Sequence, residues 1–184
     1  MTLASLSKTE KDRRAEIERA EFLNDLGILD GPSIPELDAL TREAAADFRV
    51  PMVLTTLIDS ERQRIKSSVG FRDFDIPRDI AFCHHTIQRM RLLIVENTLD
   101  DPRFSNNPMV RNPPHIRFYA GAPLTVGGQF RIGGFCLLDD IPRRFEPEDR
   151  PRLWRYAEDA ARIIEKLYMS GNLPGTSEVP GFNT

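Results

Sequence analysis

Cys83-His84-His85 and Cys136 are the residues of this chain best equipped for chemistry. A thiolate is a nucleophile and a soft metal ligand, and an imidazole changes charge near neutral pH. Between them lie Asp100, Asp101, Arg103 and Phe104, then Arg117 and Tyr119. The planar fork of Arg103 suits bidentate binding of a carboxylate or phosphate. No acid, base and nucleophile stand together as a catalytic set. The stretch favours a domain that binds and reports over one that turns over substrate.

A metal centre built from Cys83, a histidine and Cys136 would need three or four ligands in fixed geometry, and no CxxC or HxxxH spacing supplies them. Adjacent histidines on a helix diverge by about 100° and rarely share one ion. No metal is therefore expected. The cysteines lie far apart in sequence, and in a reducing compartment free thiols are the expectation.

These residues must be positioned by ordinary elements. The spacing of Ile17, Ala20, Leu23 and Leu26 predicts an amphipathic helix from Thr9 that Gly27 ends. Ser33-Ile34-Pro35-Glu36 reads as a capping box opening a second helix, with Leu37, Leu40, Ala44 and Phe48 on one face. A buried strand follows over 50–59 and a half-buried one over 64–69. A helix is predicted from Arg78 to Met90, then a short strand over 92–96. On that helix Cys83 falls with Ile80, Ile87 and Met90 on the core face, His84 at its edge, and His85 opposite with Arg89. Cys83 and His84 are thus either pocket residues or a small buried hydrophobe beside a half-buried hydrogen-bonder.

Residues 97–116 are studded with proline and asparagine and predict an irregular segment with short helical turns at most. Such a loop inside a domain is usually functional. It reads either as a ligand lid carrying Asp101 and Arg103, or as a turn that Asp101 caps, Arg103 answers and Phe104 plugs into the core. A hairpin turns at Gly127-Gly128-Gln129, its first strand placing Arg117 and Tyr119 on one face. Pro147 leads into a last helix with Leu153, Ala157, Ala161, Ile164 and Tyr168 on one stripe. Trp154 and Tyr156 lie off that stripe, as interface aromatics or as packing against the N-terminal helix.

The totals narrow the class. A chain of 184 residues fits one domain, here expected over 9–169 with mobile ends over 1–8 and 170–184. A net charge of −3 gives no basic field for nucleic acid. No apolar run approaches the ~20 residues of a membrane span, and the start, charged from Lys8, lacks an export segment. A cytoplasmic location with no membrane partner is expected. The element order predicts an α+β fold, an antiparallel sheet with long terminal helices on one face.

Several stretches in order resemble the GAF domain, the small-molecule-binding and dimerisation module of signalling proteins. They are Leu57 to Gln63, Pro77-Arg78-Asp79 before Phe82-Cys83, Asp101 to Phe104, Phe118 to Leu124, and Cys136 to Arg143. The variant is similar to that at the front of bacterial sensor kinases and diguanylate cyclases, although Arg64-Ile65 stand where it often carries an aromatic pair. The resemblance implies a profilin-like sheet of five to six strands with a ligand pocket on the face opposite the helices. Its ligand-binding residues would be Phe82, Cys83, His84, Asp101, Arg103, Phe104, Arg117, Tyr119 and Cys136. The ligand is an unidentified small molecule whose binding would order residues 97–116, and no cofactor is named; the alternative is a purely structural dimerisation module whose pocket has degenerated and takes no ligand. The assembly would be a homodimer and, if the chain is complete, its signal would leave through association with another protein or through dimer geometry. Three other family activities are weighed against the residues. Bilin attachment fits Cys83-His84 in outline only. The cysteine pattern of free-methionine sulfoxide reductases is not reproduced, although Cys83 and Cys136 could approach across the pocket. The Asn-Lys-x-Phe-Asp-Glu signature of cyclic-nucleotide binding is absent.

Overall fold

The computed structural model describes residues 8–72 and 75–170. Six strands form one antiparallel sheet in the order β3-β2-β1-β6-β5-β4. The strands are β1 (Met52–Ile58), β2 (Arg62–Val69), β3 (Ile76–Pro77), β4 (Leu93–Val95), β5 (Phe118–Val126) and β6 (Phe130–Asp139). Helices α1 (Lys8–Asp25), α2 (Pro35–Phe48) and α5 (Asp149–Met169) cover one face, and the short α3 (Phe82–Ile87) and α4 (Pro108–Arg111) lie against the other. The expected mobile ends fall outside the described residues, apart from Lys8 and Ser170.

The strand period of two sorts side chains between two cores. Val53, Leu57, Phe118, Ala120, Phe135 and Leu137 face the long helices. Leu54, Ile58, Tyr119, Cys136 and Leu138 face α3 and the 97–116 segment, with Phe82, Cys83, Phe104 and Met109 closing over them. A sheet buried on both faces carries apolar side chains on both parities, which is why β1 and most of β5 and β6 are buried along their length. Gly127 and Gly128 take φ of 61° and 73°, the left-handed conformation a tight hairpin demands.

Several expectations need correction. The capping box does not form: Ile34 is the N-cap, without a side-chain cap bond, because Pro35 occupies the first helical turn and holds Ile34 extended. The helix expected over 78–90 is two pieces, a 3₁₀ turn at Arg78–Ile80 and then α3, separated at Ala81, whose backbone is extended (φ −74°, ψ 125°). Met90 lies beyond α3 and is 78% exposed, so it is not on the core face. Alternation along β2 breaks at a bulge, where Thr55 pairs with Ser67 and Thr56 with Ile65. Lys66 thereby turns inward and its Nζ donates to the carbonyls of Gly31 and Pro32 at 2.8 and 3.2 Å. Tyr168 is exposed rather than part of the α5 stripe. Tyr156 is no interface aromatic: it is buried, stacked on Phe135 with centroids 5.7 Å apart, and its hydroxyl reaches Glu43 and Asp47 of α2. Trp154 is half-buried against the same core.

Candidate functional site

Two glycines prepare the site. A Cβ on Gly121 would lie 2.2 Å from the Tyr119 hydroxyl oxygen, so the absent side chain is what lets the tyrosine ring fold along its own strand. A Cβ on Gly134 would lie 3.2 Å from the Cys136 sulfur and 3.3 Å from that of Cys83, so this gap admits α3 against the sheet.

Into that space project both cysteines, one from α3 and one from β6. Their sulfurs are 2.8 Å apart, both thiols are free, and both side chains are buried. The Tyr119 hydroxyl lies 3.3 Å from each sulfur and 2.6 Å from Thr86 Oγ1. Thr56 Oγ1 donates to the Gly134 carbonyl, completing a polar knot inside an apolar core. Burial pushes the Cys83 thiol upward, but hydrogen bonds from Cys136, Thr56 and Tyr119 outweigh it and hold Cys83 below the usual thiol range. Burial and the neighbouring Cys83 push Cys136 well above that range. Tyr119 is raised too, by burial first and then by the two sulfurs.

Around the knot, Phe82 stacks on Phe104 (centroids 4.4 Å) and tilts against Tyr119 (5.1 Å), while His85 meets the Phe104 ring edge-on. The cavity left between Leu54, Gln63, Phe82, Cys83, Met109 and Tyr119 measures about 10 Å³. That is room for roughly one water-sized molecule. The 97–116 segment packs onto the α3 face of the sheet. Phe104, Met109, Val110 and Ile116 are buried, Thr98 ties the two ends together by donating to the Ile116 carbonyl, and Asn107 at the middle donates to the Ile80 carbonyl.

The sequence-derived residues divide. Phe82, Cys83, Phe104, Tyr119 and Cys136 come together in one cluster. Asp101 accepts from the backbone of Arg103 and pairs with its guanidinium at 2.5 Å, so the capped-turn reading describes this loop. Hydrogen bonding to Arg103, outweighing burial, lowers the Asp101 carboxyl. Arg117 precedes β5 and donates to the carbonyls of Val110, His115 and Ile116, pinning the loop rather than entering the cluster. Gly121, Gly134, Thr56 and Thr86 were missed. A glycine two residues after a strand tyrosine was the only available hint.

His84 points the other way. Its Nδ1 accepts from Arg78 Nε at 3.0 Å, and Arg78 Nη1 donates to Glu16 of α1 at 2.5 Å and to the Asp59 carbonyl at 2.8 Å. Burial and then the charges of Arg78 and His85 lower His84, which favours the neutral ring that acceptance requires. The same network includes Arg19, which binds Glu16 and donates to the Ile58 carbonyl at 2.7 Å. A cleft of about 640 Å³ opens between α1, α3 and the β5–β6 turn beside these groups. Among the described residues no cluster of three or more His, Cys, Asp or Glu is placed to hold a metal ion.

With this geometry in hand, the GAF domain family model matches residues 34–164. The chain belongs to the GAF family. The GAF domain here is 33% identical over 128 residues to a cyclic di-GMP phosphodiesterase of Pseudomonas aeruginosa, a match that spans 70% of this chain and 22% of that protein. The fold is similar to the GAF domain of an Acinetobacter phosphoenolpyruvate-protein phosphotransferase, with TM-score 0.62 and 16% identity over 91% of this chain and all of that one (100%). It is also similar to a type II free methionine-R-sulfoxide reductase of Thermoplasma acidophilum, with TM-score 0.60 and 14% identity over 72% and 92% of the two chains. At such identities these structures speak to the fold alone. GAF domains of this kind occur in signalling proteins, and among the described residues no helix is long and apolar enough to cross a membrane.

Proposed function

We propose that this GAF domain is a non-catalytic sensory module that receives a small molecule at its α3 face and passes the change out through α1 and α5 in a homodimer. Arg78 carries the reading. One guanidinium joins His84 of α3, the end of β1 and Glu16 of α1, so a shift of α3 changes what α1 is tied to. A two-state relay needs an input that favours one arrangement of such a contact over another. Both terminal helices also meet the β5–β6 turn, through Phe22 stacked on Phe130 and Glu165 accepting from the Gly127 amide. Ile17, Tyr168 and Met169 stay exposed on α1 and α5 and supply apolar surface for a second copy. The relative named a cyclic di-GMP phosphodiesterase supports second-messenger turnover as the output, exerted on a partner. A cytoplasmic setting is part of this reading.

The test is a panel of metabolites, cyclic dinucleotides and oxidants applied to the purified chain, following sedimentation and amide exchange along α1. A dimer in which some compound alters α1 exchange supports the proposal. A chain that stays monomeric at every concentration, with α1 indifferent to every compound, overturns it.

The thiol pair favours a second reading, a reductase acting on free methionine sulfoxide. That substrate would need far more room beside Cys83 than about 10 Å³. Turnover of the sulfoxide that Cys83→Ser or Cys136→Ser abolishes would establish it.

A further inference from the structure

We propose that Cys83 and Cys136 form a reversible oxidation site, a dithiol that a peroxide-class oxidant converts to an intramolecular disulfide. The inference deepens the sensory reading and rests on it: it names the chemical class that the α3 face takes.

The geometry is nearly that of the product. The sulfurs stand 2.8 Å apart as free thiols, and a disulfide needs about 2.0 Å, so α3 and β6 must close by less than one atomic radius. The adjoining cavity admits something of about water size and little more. Gln63 lines that cavity, and its Oε1 is buried without a protein hydrogen-bond partner. A peroxide hydroxyl is small enough to approach and would satisfy that oxygen. Larger metabolites are excluded by the same walls.

The chemistry balances in two steps. The Cys83 thiolate attacks one peroxide oxygen; the O–O bond breaks, an S–O bond forms, and hydroxide leaves, so Cys83 becomes a sulfenic acid. The Cys136 sulfur then attacks the Cys83 sulfur; the S–S bond forms, the S–O bond breaks, and the Cys136 proton leaves with the hydroxyl as water. In sum, both thiols and one peroxide give one disulfide and two waters, the hydroxide of the first step taking up the proton that left the Cys83 thiol, with peroxide reduced by the electron pair the sulfurs lose. An external dithiol reverses the change by exchange. Cys83 lines the cavity and Cys136 does not, so Cys83 is the first attacker, and the hydrogen bonds that lower its thiol act in the same sense. Cys136 at contact distance intercepts the sulfenic acid before a second peroxide finds room.

The consequence leaves the core through the next residue. Cys83 drawn toward β6 carries His84 with it, and His84 is the acceptor for Arg78, whose other hand holds Glu16.

The experiment treats the reduced full-length chain with hydrogen peroxide, then denatures and alkylates it for intact-mass analysis, with α1 amide exchange measured in parallel. Loss of both alkylatable thiols in a monomeric chain lighter by two hydrogen atoms, restored by dithiothreitol and accompanied by altered α1 exchange, supports the proposal. Cys136→Ser should instead accumulate added oxygen on Cys83; where that variant fails to fold, Cys136→Ala serves. Thiols that stay alkylatable, or a disulfide between two chains, overturn the oxidation site. A disulfide that leaves α1 exchange unchanged keeps the site and overturns the sensory reading. If α1 answers other compounds while the thiols resist peroxide, the oxidation site alone falls.

Discussion

Cys83 and Cys136 hold their sulfurs 2.8 Å apart across the boundary between α3 and the sheet, although 53 positions separate them in the chain. The contact exists because Gly134 places no side chain in the space where the two sulfurs meet. Tyr119 can reach both because Gly121 leaves its ring a seat.

Filling those seats should cost stability unequally. Gly134→Ala puts a methyl group 3.2 Å from Cys136 Sγ, which a small shift of α3 relieves, so the loss is about 1 kcal/mol. Gly121→Ala meets the Tyr119 hydroxyl at 2.2 Å and must rotate the ring, for a loss near the upper end of the ~1–3 kcal/mol range for overpacked cores. Urea denaturation of both variants checks the order, and Gly134→Ala proving the worse of the two would refute it.

Tyr119→Phe keeps the ring and removes the hydroxyl that bonds Thr86 at 2.6 Å. Thr86 is fully buried, so its oxygen loses a partner that water cannot replace, at a cost of about 1–3 kcal/mol. A neutral result in denaturant titration would mean that Thr86 finds another partner unaided.

Gln63→Leu should move the other way. Its Oε1 is buried without a protein partner beside the cavity, and trading it for an apolar group of similar size removes a desolvation penalty of about 1 kcal/mol or more. A clear fall in melting temperature would show that the oxygen is satisfied in solution.

The acid limb of stability should depend on Glu16. Partial burial raises its carboxyl, but bonds and charges from Arg19 and Arg78 outweigh that and bring it from 4.5 down to about 2. A folded-state pKa below the unfolded one stabilises fully above the unfolded value, and the gain is lost as pH falls from about 4.5 toward 2. Glu16→Gln should therefore flatten the stability curve across that window and change little near neutrality beyond the lost pair. The side chain is 39% exposed, so the effect is modest and shrinks in high salt. An acid limb of unchanged slope in the variant would contradict the assignment.

Periodicity made much of this architecture legible. The apolar stripe of α2, the buried β1 and the glycine turn of the hairpin each announce themselves within a few residues. Breaks that depend on distant partners did not. Ala81 interrupts a run that reads as one helix, and the Lys66 bulge answers carbonyls of Gly31 and Pro32 more than thirty positions away. At the site, the sequence marks Phe82, Cys83, Phe104, Tyr119 and Cys136 as partners in one hollow, and they do meet. What it does not convey is that they fill the hollow themselves. That outcome turns on the Gly121 and Gly134 seats and on the stacking of Phe104 over Phe82, which are contacts between elements rather than patterns within one. Arg117 illustrates the same limit, since strand parity groups it with Tyr119 while three backbone carbonyls claim its guanidinium.

Amide exchange along α1 in His84→Ala tests most directly whether the α3 face speaks to the terminal helix. His84 is hydrogen-bonded to Arg78 at 3.0 Å, which in turn donates to Glu16 of α1, and the substitution leaves both cores intact. The account predicts faster exchange across Lys8–Asp25 with β5 and β6 unchanged. Exchange that quickens only within α3, with α1 as protected as before, would contradict it.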